Sequence, residues 1–147
     1  MWRSVVVGRD SIESLVRGAH RRLDALFAEL LDACARGADL DPVHESFARL
    51  REALEAHLAQ EDRLYYPALR ALRPAHRRDL LGFAQAHDAF RIRLAELEAA
   101  LRETPPVELQ VAIGETAREF AQHEHGEERL LRRIDDELRA GEDAPGS

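Results

Sequence analysis

The sequence predicts an all-α protein that folds as an up-down-up-down four-helix bundle. Residues that favour helices, chiefly Ala, Leu, Arg and Glu, are abundant, and a β-branched run occurs only at Val5-Val6-Val7. In four separate segments, apolar residues recur at alternating spacings of three and four, as they do along a helix that turns one face to a core. Four such helices with short connections are typical of a bundle.

The first two helices have clear start and stop signals. The first is predicted to begin near Asp10 or Ser11, where Glu13 is placed to complete a capping box. It should run to Arg36, because Gly37 is typical of the position just after a helix.

The second helix is predicted to open at Asp41-Pro42, an N-cap residue followed by proline at the first helical position. It should end before Pro67, because Tyr66 precedes a proline and the α conformation is disfavoured there.

The third helix should run from about Ala75 to Glu103, where Thr104-Pro105-Pro106 closes it. The fourth should run from about Val107 to Arg139. We expect one domain over residues 1–147, with residues 1–9 as an N-terminal arm and residues 141–147 as a frayed tail.

Composition and net charge exclude several classes of function. No stretch approaches the roughly 20 apolar residues of a membrane span, and no secretory signal is evident, so we expect a cytoplasmic protein. The net charge of −7 argues against nucleic acid as a partner, because phosphates would be repelled.

The single cysteine, Cys34, excludes an internal disulfide and a cysteine-based metal site, and we interpret it as a core residue. Either a monomer or a homodimer is compatible with the sequence.

Ionisable residues interrupt all four apolar seams. Buried imidazoles and carboxylates are costly unless they are paired or bind a metal, so their presence in a core face predicts a site. The ionisable residues of the seams are His20, His57, Glu61, His87, His123 and Glu127.

The four seam histidines are predicted to lie at one height in the bundle. Residues on consecutive antiparallel helices lie level when the connecting loop is midway between them. The midpoints between successive seam histidines fall at Ala38-Asp39, Leu72 and Pro105, each in a predicted loop. Both glutamates are one turn from a seam histidine, on the same face. We therefore expect all six side chains to converge.

This donor set suits a pair of metal ions. Imidazole and carboxylate together are compatible with iron, manganese or zinc, and two glutamates can bridge metals about 3.5–4 Å apart. His57 and Glu61 recur as His123 and Glu127 at a constant offset, so each half of the chain contributes similar ligands. The alternative is a metal-free bundle with a buried hydrogen-bond network, which would require that every polar atom be satisfied.

The ordered set resembles the hemerythrin-like, HHE cation-binding family. The motifs that carry the resemblance are His57-Leu58-Ala59-Gln60-Glu61, His123-Glu124-His125-Gly126-Glu127 and the run from Glu61 to Leu69. The resemblance implies a non-haem centre of two iron ions with an oxo or hydroxo bridge, rather than manganese or zinc. It also implies O2, hydrogen peroxide or nitric oxide as small-molecule partners. The ligand set is closest to the bacterial, particularly actinobacterial, six-ligand subgroup.

The chain departs from the oxygen-carrying members of that family. They have a further histidine where this chain has Phe83, and they end with an aspartate at a longer spacing where it has Glu127. The position left by Phe83 could be filled by solvent, by Tyr65, which is the first choice as an extra ligand, or by Tyr66. The alternative is a tyrosine that packs in the bundle and hydrogen-bonds a ligand carboxylate without binding the metal.

Two classes of function follow from the resemblance. The first is a diiron protein that reacts with O2 or hydrogen peroxide, with catalase-like or other oxidoreductase chemistry and no catalytic side chain yet assigned. The second is a non-enzymatic module that binds O2, nitric oxide or iron for storage or sensing. The three remaining histidines are not predicted to be ligands: His44 and His76 should be solvated, and His125 should lie on another side of its helix.

Overall fold

A computed structural model describes residues 12–37 and 39–143, with side chains as far as Gly141. A π-helical turn over Glu61–Tyr65 joins the second and third helices, and short 3-10 turns over Pro74–His76 and Pro106–Leu109 precede the fourth and fifth. The described residues contain no β-strand. The α-helices are α1 (Ile12–Arg36), α2 (Leu40–Gln60), α3 (Tyr66–Leu72), α4 (Arg77–Glu103) and α5 (Gln110–Asp143).

The helices form the predicted four-helix bundle. Helix α2, the π turn and α3 continue one another, so the five helices make four antiparallel rods. Helix α1 packs against α2 and α5, while α4 packs against the same two neighbours. The short connections make rods that are consecutive in sequence adjacent in space. No helix among the described residues combines the length and apolar character needed to cross a bilayer.

The largest difference from prediction is in the second rod. It begins at Leu40, with Asp39 as its N-cap, and it continues through Pro67 to Leu72 instead of ending at Tyr66. The N–H of Tyr66 donates to the carbonyl of Glu61, one residue further back than in an α-helix. Pro67 then lies in the first turn of α3, where a backbone N–H is not needed. The helical rod therefore continues through the proline.

The other boundaries are close to prediction. Helix α1 ends at Arg36, and Gly37 has a φ of 61°, a left-handed conformation that glycine adopts without strain. Asp10, Ser11 and the N-terminal arm lie outside the described residues. Helix α4 starts at Arg77 after its 3-10 turn and ends at Glu103, as predicted. Helix α5 starts at Gln110 and extends past Arg139 to Asp143.

The apolar core is divided in two by a polar layer. Along each rod, the change from one apolar cluster to the other falls at the seam histidines and glutamates. Cys34 is fully buried in the larger cluster, as predicted. The larger cluster includes Leu23, Leu54, Phe90, Leu94, Ile113 and Phe120. The smaller cluster includes Ile12, Val16, Tyr66, Leu80, Leu130 and Ile134.

Candidate metal centre

The six ionisable seam residues meet in the polar layer between the two apolar clusters. Helix α1 contributes one histidine, α2 and the π turn contribute a histidine and a glutamate, α4 contributes a histidine, and α5 contributes the last pair. At most 7% of any of these side chains is exposed. They are His20, His57, Glu61, His87, His123 and Glu127.

These side chains form two groups that share Glu61 and Glu127. One group adds His20 and His57, and the other adds His87 and His123. Within each group the donor atoms all lie within 4.8 Å of one another. Nε2 of His20 is 3.0 Å from a Glu127 oxygen, and Nε2 of His57 is 3.2 Å from a Glu61 oxygen. Two metal positions with a common pair of carboxylates fit this geometry.

Several of the buried donor atoms lie close to one another but make no hydrogen bond of acceptable geometry. They are Nε2 of His20, Nε2 of His57, both carboxylate oxygens of Glu61 and Oε1 of Glu127. A self-contained network of buried polar side chains must satisfy such atoms, and this one does not. Metal ions would satisfy them, so the donor set fits a metal site better than the metal-free alternative.

Electrostatics keep two of the histidines in the form that binds metals. Burial, opposed only in part by Glu127, lowers the pKa of His57 and of His123 to about 4. The neighbouring seam histidines are part of the cause of this lowering. Neutral imidazole is the form of histidine that coordinates a metal ion, so these two side chains are ready to bind at neutral pH.

The two glutamates titrate as a pair. Burial and the adjacent Glu127 carboxylate raise the pKa of Glu61 well above its ordinary value. Burial also opposes ionisation of Glu127, but close contacts with Glu61 and His20 and the hydrogen bond from Tyr66 outweigh it and lower its pKa. Without a metal, the surroundings therefore favour the protonated form of Glu61 and the ionised form of Glu127.

The comparison with protein families agrees with this geometry. The model of the hemerythrin HHE cation-binding domain matches residues 11–140. The chain belongs to the hemerythrin HHE cation-binding family. No curated protein and no solved structure matches it. The family predicted from the motifs is thus confirmed, whereas the actinobacterial subgroup stays a prediction.

In this hemerythrin domain, two seam histidines contact an acidic side chain through Nδ1, the ring nitrogen that faces away from the polar layer. Nδ1 of His20 lies 2.9 Å from an oxygen of Glu128, and Nδ1 of His87 lies 2.8 Å from an oxygen of Asp62. Such a contact places the proton on Nδ1 and leaves Nε2, the atom that faces the layer, able to coordinate a metal.

The tyrosine nearest the layer is Tyr66, whereas Tyr65 was the first choice from sequence. The buried Tyr66 hydroxyl donates to Glu127 and lies 3.2 Å from Nε2 of His87. The Tyr65 hydroxyl instead accepts a hydrogen bond of 3.1 Å from Gln60. The cause is the π turn, whose extra residue rotates Tyr66 onto the face that an α-helix would have given to Tyr65.

Aromatic rings pack around His123 on α5. Phe83 meets His123 edge-on at 5.5 Å between ring centroids and lies 6.5 Å from Tyr66. It therefore borders the layer, as its place on the seam predicted. Phe90 and Phe120 pack on the same imidazole at 5.4 and 6.1 Å. These rings exclude water from one side of the site.

Sequence reasoning missed the acidic side chains around the six. Glu124 is buried, with a carboxylate oxygen 3.6 Å from Nδ1 of His20, and burial together with Asp24 raises its pKa to about 10. It follows Phe120 by four residues, so a wider seam would have included it. Asp62 is adjacent in sequence to a seam glutamate, which is the signal that could have found it.

The other histidines lie away from the layer. His44 and His125 are exposed, as predicted. His76 is not simply solvated, because Nε2 lies 2.9 Å from a carboxylate oxygen of Glu137 and most of the side chain is covered.

We expect His57 and His123 to contribute free energy of unfolding to the metal-free domain that is lost as pH falls from about 6.5 to about 4. His57 and His123 have pKa values lowered to about 4, so the unfolded chain binds protons in this window that the folded chain does not. Their contribution is present above pH 6.5 and is lost toward pH 4. Urea titrations of the metal-free protein at several pH values measure it.

Matched variants test whether His57 and His123 cause this pH dependence of the free energy of unfolding. In His57→Gln or His123→Gln, stability should fall less steeply with decreasing pH than in the wild type. His125→Gln removes an exposed histidine and should leave the slope unchanged. A wild-type slope in both of the first two variants would contradict the assignment.

Proposed function

We propose that this hemerythrin domain holds two iron ions, with Glu61 and Glu127 as shared ligands. His20 and His57 complete one set, and His87 and His123 complete the other. The observation that carries the proposal is the division of six buried donors into two groups that share those two glutamates. The donor types suit iron. Zinc would bind similar ligands but has no redox chemistry, and the family resemblance favours iron over manganese.

We further propose that the site reacts with hydrogen peroxide or O2. A bound iron pair would relay electrons from one substrate molecule to another by changing oxidation state. Disproportionation of peroxide balances without an outside reductant, because one molecule is oxidised to O2 while a second is reduced to water. A catalase-like reaction is therefore the simplest oxidoreductase chemistry for this site, because it needs no second substrate and no reductase.

Tyr66 is the side chain best placed to assist. Burial and the carboxylates of Glu127 and Glu61 raise the pKa of its hydroxyl far above the ordinary value, so the phenol keeps its proton. It donates that proton to Glu127 in a hydrogen bond and so holds the carboxylate in place.

A groove between α1 and α2 supports access by small molecules. It has a volume of ≈ 450 Å³, and His57 forms part of its wall. Its lining also includes Ala19, Ala53 and Ala56, whose side chains are small. The groove therefore offers room beside His57 for a molecule the size of peroxide or O2.

The second candidate is reversible binding of O2, nitric oxide or iron without turnover. The observation in its favour is the enclosure of the donor set, in which no side chain is more than 7% exposed. An enclosed site limits the entry of water and reductant, which suits a stable adduct.

The first prediction is metal content. Protein expressed in iron-replete medium should carry about two irons per chain by elemental analysis, because the donors form two groups. Glu61→Ala or Glu127→Ala should lose most of this iron, since each removes a ligand of both positions. His125→Ala is the control and should retain it. Wild-type protein without bound transition metal would refute the proposal.

The second prediction is reactivity. The iron-loaded protein should consume hydrogen peroxide and release O2, and an oxygen electrode measures the rate. His57→Ala should abolish this release because it removes a ligand, whereas His44→Ala should not. A stable, reversible O2 adduct of the reduced protein, with no peroxide turnover, would favour the binding module.

The third prediction concerns the tyrosines. Tyr66→Phe should alter the visible spectrum of the ferric protein while both irons are retained, because its hydroxyl contacts Glu127. Tyr65→Phe should leave the spectrum unchanged, because the Tyr65 hydroxyl pairs with Gln60. The opposite result would return Tyr65 to the position first predicted for it.

A further inference from the structure

Each shared glutamate is followed directly by a second acid. Asp62 follows Glu61 in the π turn, and Glu128 follows Glu127 on α5. Neighbouring residues on a helix point in different directions, so the first acid of each pair faces the layer while the second reaches sideways. The same acidic pair therefore occurs in both halves of the bundle, and its second members are not among the six donors.

Each sideways acid contacts a histidine on the next rod. Asp62 Oδ1 lies 2.8 Å from Nδ1 of His87 on α4, and Glu128 Oε2 lies 2.9 Å from Nδ1 of His20 on α1. These are hydrogen-bond distances for an imidazole N–H that donates to a carboxylate. Each contact ties a donor side chain to a helix other than its own.

The contacts direct Nε2 of both histidines to the layer. Nε2 of His87 is 3.4 Å from an oxygen of Glu61, and Nε2 of His20 is 3.0 Å from an oxygen of Glu127. A carboxylate that accepts from Nδ1 also raises the basicity of the opposite nitrogen and so strengthens its bond to a metal.

The two acids carry unequal counter-charges. Arg91 donates to Asp62 at 2.7 Å, closer than its 3.0 Å contact with the exposed Asp88, and so offsets much of the negative charge of Asp62. The nearest contact of Arg17 with Glu128 is 3.4 Å, and Arg17 is also paired with Glu13. Glu128 therefore keeps more of its charge for the histidine that it contacts.

Building on the proposed two-metal site, we propose that Asp62 and Glu128 are positioning residues for His87 and His20, respectively. Arg91 weakens the support that Asp62 gives, so the metal position at His87 is the weaker of the two. The two metal positions have similar ligands, but the negative charge of the acid that contacts the histidine differs between them.

Cobalt(II) tests this inference without depending on iron or on activity. Metal-free protein is titrated with Co²⁺ against a competing chelator, and the visible cobalt spectrum reports the two positions. Asp62→Asn keeps the size of the side chain but removes its charge, so it should weaken one position by roughly 10- to 100-fold and leave the other unchanged. Glu128→Gln should weaken the other position by a larger factor. Asp62→Glu should restore most of the wild-type affinity.

The arginine supplies the second arm of the test. Arg91→Gln should tighten the weaker position, because Asp62 then acts on His87 with its full charge. The same change made in Asp62→Asn should have no effect, since the acid through which it acts is gone. Arg93→Gln is the matched control, because Arg93 lies on the same helix with the same 35% exposure but pairs with Glu119 rather than with Asp62.

Three outcomes would overturn the inference. One is wild-type protein that binds two Co²⁺ ions while Asp62→Asn leaves both affinities unchanged, in which case the two-metal site still stands. Another is a loss at both positions that matches a fall in the free energy of unfolding of the metal-free protein, which indicates a structural role. If the wild type binds no Co²⁺ at all, the proposed site and this inference both fail.

Discussion

The constraint on which the rest of the structure depends is the burial of six ionisable side chains in one layer of an apolar core. Five of their nitrogen and oxygen atoms lack a hydrogen-bond partner, and each such atom costs on the order of 1–3 kcal/mol. A domain has a net stability of only about 5–15 kcal/mol. The cost of the layer is therefore comparable with the whole net stability of a domain, unless metal ions satisfy these atoms.

The π turn is the local feature that completes the layer. Glu61 begins this turn, and the extra residue within it brings Tyr66 onto the same face, where the hydroxyl meets Glu127. Pro67 follows at once and has no N–H to lose. Proline and π turn are thus complementary: the turn accommodates a residue that would otherwise stop the helix, and the function of the site gains a buried phenol. π turns are frequent at functional sites for this reason.

The sequence predicted those parts of the site that obey the period of a single helix. The six seam residues follow the three-and-four spacing, and the loop midpoints placed them at one height, so the structure brings them together. Tyr66, and the extension of the second rod to Leu72, depend on a π turn that no periodic pattern reveals. Asp62 and Glu128 were missed because their partners are on neighbouring rods, and contacts between rods depend on rotation as well as height.

Metal binding and protonation should compete for the same charge. Without a metal, Glu61 keeps a proton because two buried carboxylates so close together cannot both ionise. A metal ion supplies the positive charge that this proton provides, so binding must release it. His57 and His123 are neutral at physiological pH and need to release nothing. Burial opposes protonation of His20, but its contacts with Glu127 and Glu128 outweigh this effect and raise its pKa. The protons released when metal binds should therefore come from Glu61 and His20, which places the pH dependence of metal affinity on these two ligands.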